Sequence, residues 1–146
     1  MSDVAIAKPP VLFWILGVVF FIWGLFGGGI YLMDKLISDE AVLKFGGQVA
    51  LDARHAYPIW ASAAYAIAVW GGLIAATLFL LRKKLSIMLF VVSLIFAVIC
   101  FIPTFTNPIM KEAGGSTFWV MPLVVVVIGI FEIIFSRKQR ANGILR

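Results

Sequence analysis

Four long apolar stretches, separated by short polar or charged segments, constrain this chain more than any other feature. An apolar helix of about 20 residues crosses the ~30 Å hydrocarbon core of a bilayer once. Strands of a membrane barrel would be shorter and would alternate in polarity, which these stretches do not. Because a backbone in lipid must satisfy its own hydrogen bonds, each stretch is predicted to be helical. The predicted spans are residues 11–33, 59–81, 85–105 and 117–135.

The composition excludes the soluble classes of protein. Of the 146 residues, 63% are hydrophobic and 13% are charged, whereas a soluble domain has about 45–50% and about 25%. A globule of this size cannot bury such a surplus of apolar side chains. The sequence therefore predicts an all-α integral membrane four-helix bundle that forms a single domain over residues 1–146.

Residues 34–58, between the first two spans, form the only long segment outside the predicted membrane. Ser38 can cap a helix there, and the acidic first turn that follows suits the helix dipole. Apolar residues then recur at spacings of three and four, at Val42, Phe45 and Val49. We expect a short amphipathic helix on the outer membrane surface or on the helix ends, with a mobile loop as the alternative.

Lysine and arginine are distributed unevenly between the two sides of the membrane. The N-terminus, the turn between spans two and three and the tail 136–146 share one side, which carries eight of the twelve basic residues. The positive-inside rule predicts that both termini are cytoplasmic, in a multi-pass protein of the bacterial inner membrane. The bases are expected to contact lipid headgroups and not nucleic acid. The predicted headgroup contacts are Arg82, Lys83, Lys84, Arg137 and Lys138.

Small residues recur at every fourth position of the second span, and a weaker repeat occurs in the first. In lipid, this spacing lets two helix backbones approach closely. The residues either pack inside the bundle or form a face for self-association or for another membrane protein. The predicted packing residues are Ala64, Ala68, Gly72 and Ala76 in the second span, with Gly24 and Gly28 in the first.

Trp23 and Trp70 lie near the middle of their predicted spans. An indole N–H at that depth needs an acceptor that hydrocarbon does not supply. Packing against a carbonyl or hydroxyl of another helix is one explanation. Contact with a hydrophobic cofactor such as a quinone, a carotenoid or another pigment is the other, although the sequence requires no cofactor.

Glu132 is the only acidic residue inside a predicted span. Ionisable residues within membranes are candidates for a functional role. Because Glu132 lies close in sequence to Arg137 and Lys138, we expect it to pair with them at the cytoplasmic end. The deeper positions of the spans carry only weakly polar groups, which disfavours proton- or sodium-coupled transport.

Catalytic and metal-binding residues are not predicted. His55 is the only histidine, and Asp52 could orient it, but no serine or cysteine nucleophile is nearby in sequence. A catalytic zinc ion usually needs three protein ligands, and this chain has no such set. The protein is therefore predicted not to be an enzyme.

One part of the chain resembles a known family. The segment Pro58-Ile59-Trp60, the alanine-rich run to Trp70-Gly71-Gly72 and the turn through Arg82-Lys83-Lys84 are similar to small four-span bacterial inner-membrane proteins of unassigned function. Some of these proteins are called sugar transporters. The resemblance covers the second and third spans and implies topology and packing, without catalytic or binding residues.

These observations predict a non-enzymatic integral membrane protein that acts through helix–helix association. We expect an accessory or structural subunit of a larger membrane complex, whose partners are other membrane subunits or further copies of this chain. The alternative is a small homo-oligomeric transporter or channel for an uncharged solute. A membrane enzyme using His55 and Asp52 at the outer face is a third, weaker reading.

Overall fold

The computed structural model describes residues 7–146, and within that range it contains six α-helices and no strand. Four of the described helices are long and apolar enough to cross a membrane. The prediction of an all-α integral membrane protein is therefore confirmed. The helices are α1 (Val11–Leu36), α2 (Asp39–Ala56), α3 (Ile59–Leu80), α4 (Leu85–Thr106), α5 (Pro108–Gly114) and α6 (Val120–Ala141), with a 3₁₀ turn at Gly115–Thr117.

The first and last spans are longer than the sequence predicts. Helix α1 continues to Leu36, past the expected end at Met33. Helix α6 begins at Val120 instead of Thr117 and continues to Ala141. Arg137, Lys138 and Arg140 of the tail lie in the last turns of α6. Cations interact favourably with the helix dipole there, so the helix extends beyond the apolar stretch.

The amphipathic element between the first two spans is present as α2, and it folds back on itself. The Ser38 hydroxyl accepts a hydrogen bond from the Ala41 N–H at 3.2 Å, as expected of a cap. Gly47 has φ 75° and interrupts the helix, in a conformation that favours glycine. A straight helix of this length would hold its ends about 25 Å apart. Yet Asp39 and His55 are in contact, with Oδ2 and Nε2 2.8 Å apart.

The four spans pack in a row, in the order α1, α3, α4 and α6. The contact between α3 and α4 is the most extensive, and α3 also packs against α1 while α4 packs against α6. The outer helices of the row, α1 and α6, do not pack along their length. We call the end with residues 7–10, 82–84 and 137–146 the basic end, and the end with α2 and α5 the loop end.

Five phenylalanine side chains close the bundle toward the basic end. Phe79 of α3 is fully buried at the centre of this cluster, stacked on Phe13 with ring centroids 4.5 Å apart. Phe20 of α1 lies 6.1 Å from Phe135 of α6, which joins the two outer helices. Phe90 of α4 completes the aromatic cluster. The side chains of α1 and α6 therefore meet near the basic end.

Replacement of Phe79 by alanine is expected to destabilise the bundle by about 3–5 kcal/mol, since it removes a fully buried ring from the centre of the aromatic cluster. The measurement is the unfolding midpoint of the purified protein in detergent. Ile134→Ala is the control, because Ile134 is on α6 and 61% exposed. Similar losses in the two variants would contradict a central role for Phe79.

Candidate functional site

The small residues of α3 lie in contacts between helices of the same chain. Ala64, Ala68 and Ala76 are buried. The Ser93 hydroxyl of α4 donates a hydrogen bond to the Ala68 carbonyl at 2.6 Å. A Cβ atom on Gly72 would lie 3.0 Å from the same hydroxyl oxygen. The small-residue repeat of α3 therefore packs inside the bundle, where Ala68 and Gly72 lie against α4.

The glycines of α1 face α3 in the same way. A Cβ atom on Gly24 would lie 3.1 Å from the Cα atom of Leu73. A Cβ atom on Gly28 would be in ordinary contact with Trp70, 3.5 Å from its ring. Small residues therefore lie in both contacts of α3. In the α3–α4 contact they belong to α3, and in the α1–α3 contact they belong to α1.

Between the four spans, toward the loop end, lies a cavity of about 1180 Å³. It exists because α1 and α6 meet through the phenylalanine cluster and do not pack elsewhere. Each of the four spans contributes to the walls, which are mainly apolar and aromatic. The walls include Phe20, Trp23, Tyr65, Phe90, Ser93 and Val125.

Helix α2 covers the cavity at the loop end. Val42, Phe45 and Ala53 line the cavity from this helix, and α2 also packs against α5. The cover is amphipathic because these apolar side chains line the cavity while most of its charged residues are exposed.

An ionic network at the rim of the cavity holds the ends of α2 together. The Arg54 Nε atom lies 3.3 Å from Asp39, and Arg54 Nη2 donates to the Ile37 carbonyl at 3.0 Å. Asp34, at the end of α1, lies 3.9 Å from Arg54. His55 contacts Asp39, so the network joins the start of α2, its end and α1.

Tyr57 connects the start of α3 to α4 at the same end. Its hydroxyl donates to the Cys100 carbonyl, with the oxygen atoms 2.9 Å apart, and lies 3.3 Å from the Ala61 carbonyl. Burial raises the pKa of Tyr57 above its ordinary value. The hydroxyl therefore remains a neutral donor, and its hydrogen is used within the chain.

Glu132 does not pair with the basic tail as the sequence predicts. Its side chain is 8% exposed and lines the cavity. No ion pair within residues 7–146 includes Glu132. At about 100° per residue, Arg137 and Lys138 point about 140° and about 120° away from Glu132 around α6. The carboxylate faces the cavity while both basic side chains are exposed.

The two mid-span tryptophans have different positions. Trp23 lines the cavity. Trp70 instead lies where α3 meets α1, edge-on to Tyr31 with ring centroids 6.4 Å apart. Of the two residues predicted as hydrophobic cofactor contacts, Trp23 is the one at the cavity.

The predicted headgroup contacts and Asp52 do not line the cavity. The Arg82 guanidinium donates to the carbonyls of Ala7 and Ile144 at 3.0 and 3.1 Å, so it is engaged within the chain. Lys83 and Lys84 are exposed beside it. Asp52 accepts a hydrogen bond from Gln48 and not from His55, so the hypothetical His55–Asp52 pair does not form.

The sequence analysis does not predict the cavity or helix α5, which packs against α2. Helix α5 had a visible signal, since Asn107 caps it and Pro108 occupies its first position, a pattern typical of helix starts. The cavity has no local signal, because it depends on which pairs of spans pack together.

Comparisons of the chain with protein-family models, with curated proteins and with solved structures find no match. The resemblance to small four-span bacterial membrane proteins therefore stays a prediction.

Gly24→Ile is expected to destabilise the protein by about 1–3 kcal/mol, because a side chain there would push against the backbone of Leu73. Gly29→Ile is the matched control, since a Cβ atom at Gly29 would meet nothing within 4 Å. The measurement is again the unfolding midpoint in detergent. Equal effects at both positions would contradict a close α1–α3 contact at Gly24.

Asp39→Ala is expected to loosen α2, because Asp39 contacts both Arg54 and His55 at the far end of the helix. Hydrogen–deuterium exchange across residues 39–56 should become faster, while exchange in α4 stays unchanged. Asp52→Ala is the control, since Asp52 bonds only to Gln48 four residues away. Unchanged exchange in Asp39→Ala would show that the ionic network does not hold the hairpin.

Proposed function

We propose that this integral membrane protein binds a hydrophobic or amphipathic small molecule in the cavity between its spans. The observation that carries the proposal is the size and character of that cavity. Its volume of about 1180 Å³ is slightly above the ~300–1,000 Å³ typical of small-molecule sites. Such sites are mostly apolar with a few polar groups, as this one is.

The bilayer is the proposed source of the ligand. Because α1 and α6 do not pack along their length, the row of spans is open on one side to surrounding lipid. Helix α2 and its ionic network cover the cavity at the loop end, where water would enter. A molecule dissolved in the lipid therefore has a shorter route into the cavity than a molecule dissolved in water.

Orientation is part of the proposal. With the basic end in the cytoplasm, as the positive-inside rule predicts, the cavity belongs to the outer half of a bacterial inner membrane. Lys83, Lys84, Arg137 and Lys138 are exposed and available to anionic headgroups. Arg82 does not contribute in the same way, because its guanidinium donates to backbone carbonyls within the chain.

A binding role is compatible with the predicted role as a non-enzymatic accessory subunit that contacts a hydrophobic cofactor. A quinone, carotenoid or other pigment in the cavity would meet Trp23. Three of the four small residues of the α3 repeat are buried within the chain, so a partner subunit would use the exposed faces of the outer spans. Transport of a solute is less well supported, since the phenylalanine cluster closes the bundle below the cavity.

Val125→Trp tests this proposal, because an indole at Val125 would occupy the cavity. The probe is a long-chain alcohol carrying a photoreactive diazirine, added to the protein in lipid nanodiscs and located by mass spectrometry. We expect labelling of cavity residues in the natural protein and at least a fivefold loss in Val125→Trp, on the order of the loss of ~1 kcal/mol of binding energy.

Val127→Trp is the matched control, since Val127 is on the same helix and 57% exposed. It should label like the natural protein. Equal labelling of Val125→Trp and Val127→Trp, or labelling confined to lipid-facing positions, would contradict binding in the cavity.

A further inference from the structure

We propose that Glu132 is the counter-ion for a protonated amine, so that the cavity selects a hydrophobic amine over a neutral lipid. This inference rests on the proposed binding function and identifies the chemical class of its ligand. It concerns the deep part of the cavity, where the α6 carboxylate lies beside the phenylalanine cluster.

Among residues 7–146, Glu132 is the only charged residue that lines the cavity away from its rim. The other charged lining residues, Asp34, Lys35 and Arg54, lie at the loop end and pair with one another or with Asp39. Glu132 lies about 18 Å along α6 from the start of that helix at Val120. The cavity is therefore ionic at its rim, apolar along its walls and acidic at its deep end.

Glu132 lacks a partner within the part of the chain that the structure describes. No hydrogen bond or ion pair among residues 7–146 includes its carboxylate, although the side chain is 8% exposed. A buried carboxylate without a partner is costly, and an ammonium group that donates to it offsets that cost. The ligand is thus expected to supply the missing donor.

Two hydroxyl groups that line the cavity, those of Ser93 and Tyr57, do not compete for this role. The Ser93 hydroxyl donates to the Ala68 carbonyl, and the Tyr57 hydroxyl donates to the Cys100 carbonyl. With those hydrogens already engaged, Glu132 is the strongest acceptor that faces the deep cavity. A ligand with only a hydroxyl or carbonyl group would meet no basic side chain beside Glu132 that could donate to it.

Aromatic rings lie close to the proposed ammonium site. Phe20 and Phe90 line the cavity together with Glu132. Phe131 and Phe135, on either side of Glu132 along α6, have ring centroids 6.0 and 6.1 Å from that of Phe20. Ring faces attract cations in desolvated sites. The apolar chain of the ligand would then lie along Trp23, Tyr65 and Val125 and extend into the opening between α1 and α6.

The test compares two probes of equal chain length, a long-chain primary amine and the corresponding alcohol, each with the same diazirine. Both are titrated at neutral pH onto the protein in nanodiscs of zwitterionic lipid, and photolabelling gives an apparent Kd. The natural protein should bind the amine more tightly than the alcohol. Glu132→Gln should raise the Kd of the amine about tenfold or more, as expected for loss of a charge-assisted hydrogen bond.

Glu132→Gln should leave the Kd of the alcohol within about twofold, which also reports that the variant is folded. Glu132→Asp, which keeps the charge on a shorter side chain, should retain part of the preference for the amine. Glu112→Gln is the matched control, because Glu112 is exposed on α5 and does not line the cavity. It should behave as the natural protein does with both probes.

Equal affinity of the natural protein for both probes, or an equal loss for both in Glu132→Gln, would overturn the role of Glu132 while leaving cavity binding intact. Failure of the proposed function has a different signature. In that case Val125→Trp would leave both probes bound as tightly as before.

Discussion

The close approach of α3 to its neighbours on both sides is the contact on which the rest of the structure depends. Helices in lipid gain little from hiding apolar surface, so they associate where small residues permit dense packing. Ala68 and Gly72 provide this toward α4, and Gly24 provides it on α1 toward α3. Because α1 packs against α3 and α6 packs against α4, the two outer helices of the row do not pack against each other along their length. The space between them is the cavity.

The phenylalanine cluster and the ionic network close this space in two chemically different ways. Toward the basic end, Phe20 reaches from α1 to Phe135 of α6 and seals the bundle with apolar contacts. At the loop end, Arg54 and Asp39 hold a folded-back helix across the opening. The first closure belongs to the hydrocarbon, where ion pairs are expensive. The second lies at the water boundary, where charged side chains are easily solvated.

The number of spans, their helical state and the capped helix after Ser38 could be predicted from sequence, because each depends on composition or on local spacing. Glu132 shows why the site could not. Its distance in sequence from Arg137 suggested an ion pair, whereas the helical rotation between them turns the carboxylate inward. Whether that inward face meets another helix or empty space depends on the pairing of distant spans. The pairing of distant spans also explains why Trp23 lines the cavity while Trp70 lies at the contact between α1 and α3.

The uneven placement of the phenylalanine cluster has a mechanical consequence. Dispersion contacts are dense on one side of the bundle and sparse beside the cavity, so resistance to local opening decreases along the membrane normal toward α2 and α5. Toward the loop end, α1 and α6 are thus held mainly by their inner neighbours, α1 by α3 and α6 by α4. A ligand that filled the space between them would add contacts to both helices and raise the protein's resistance to unfolding.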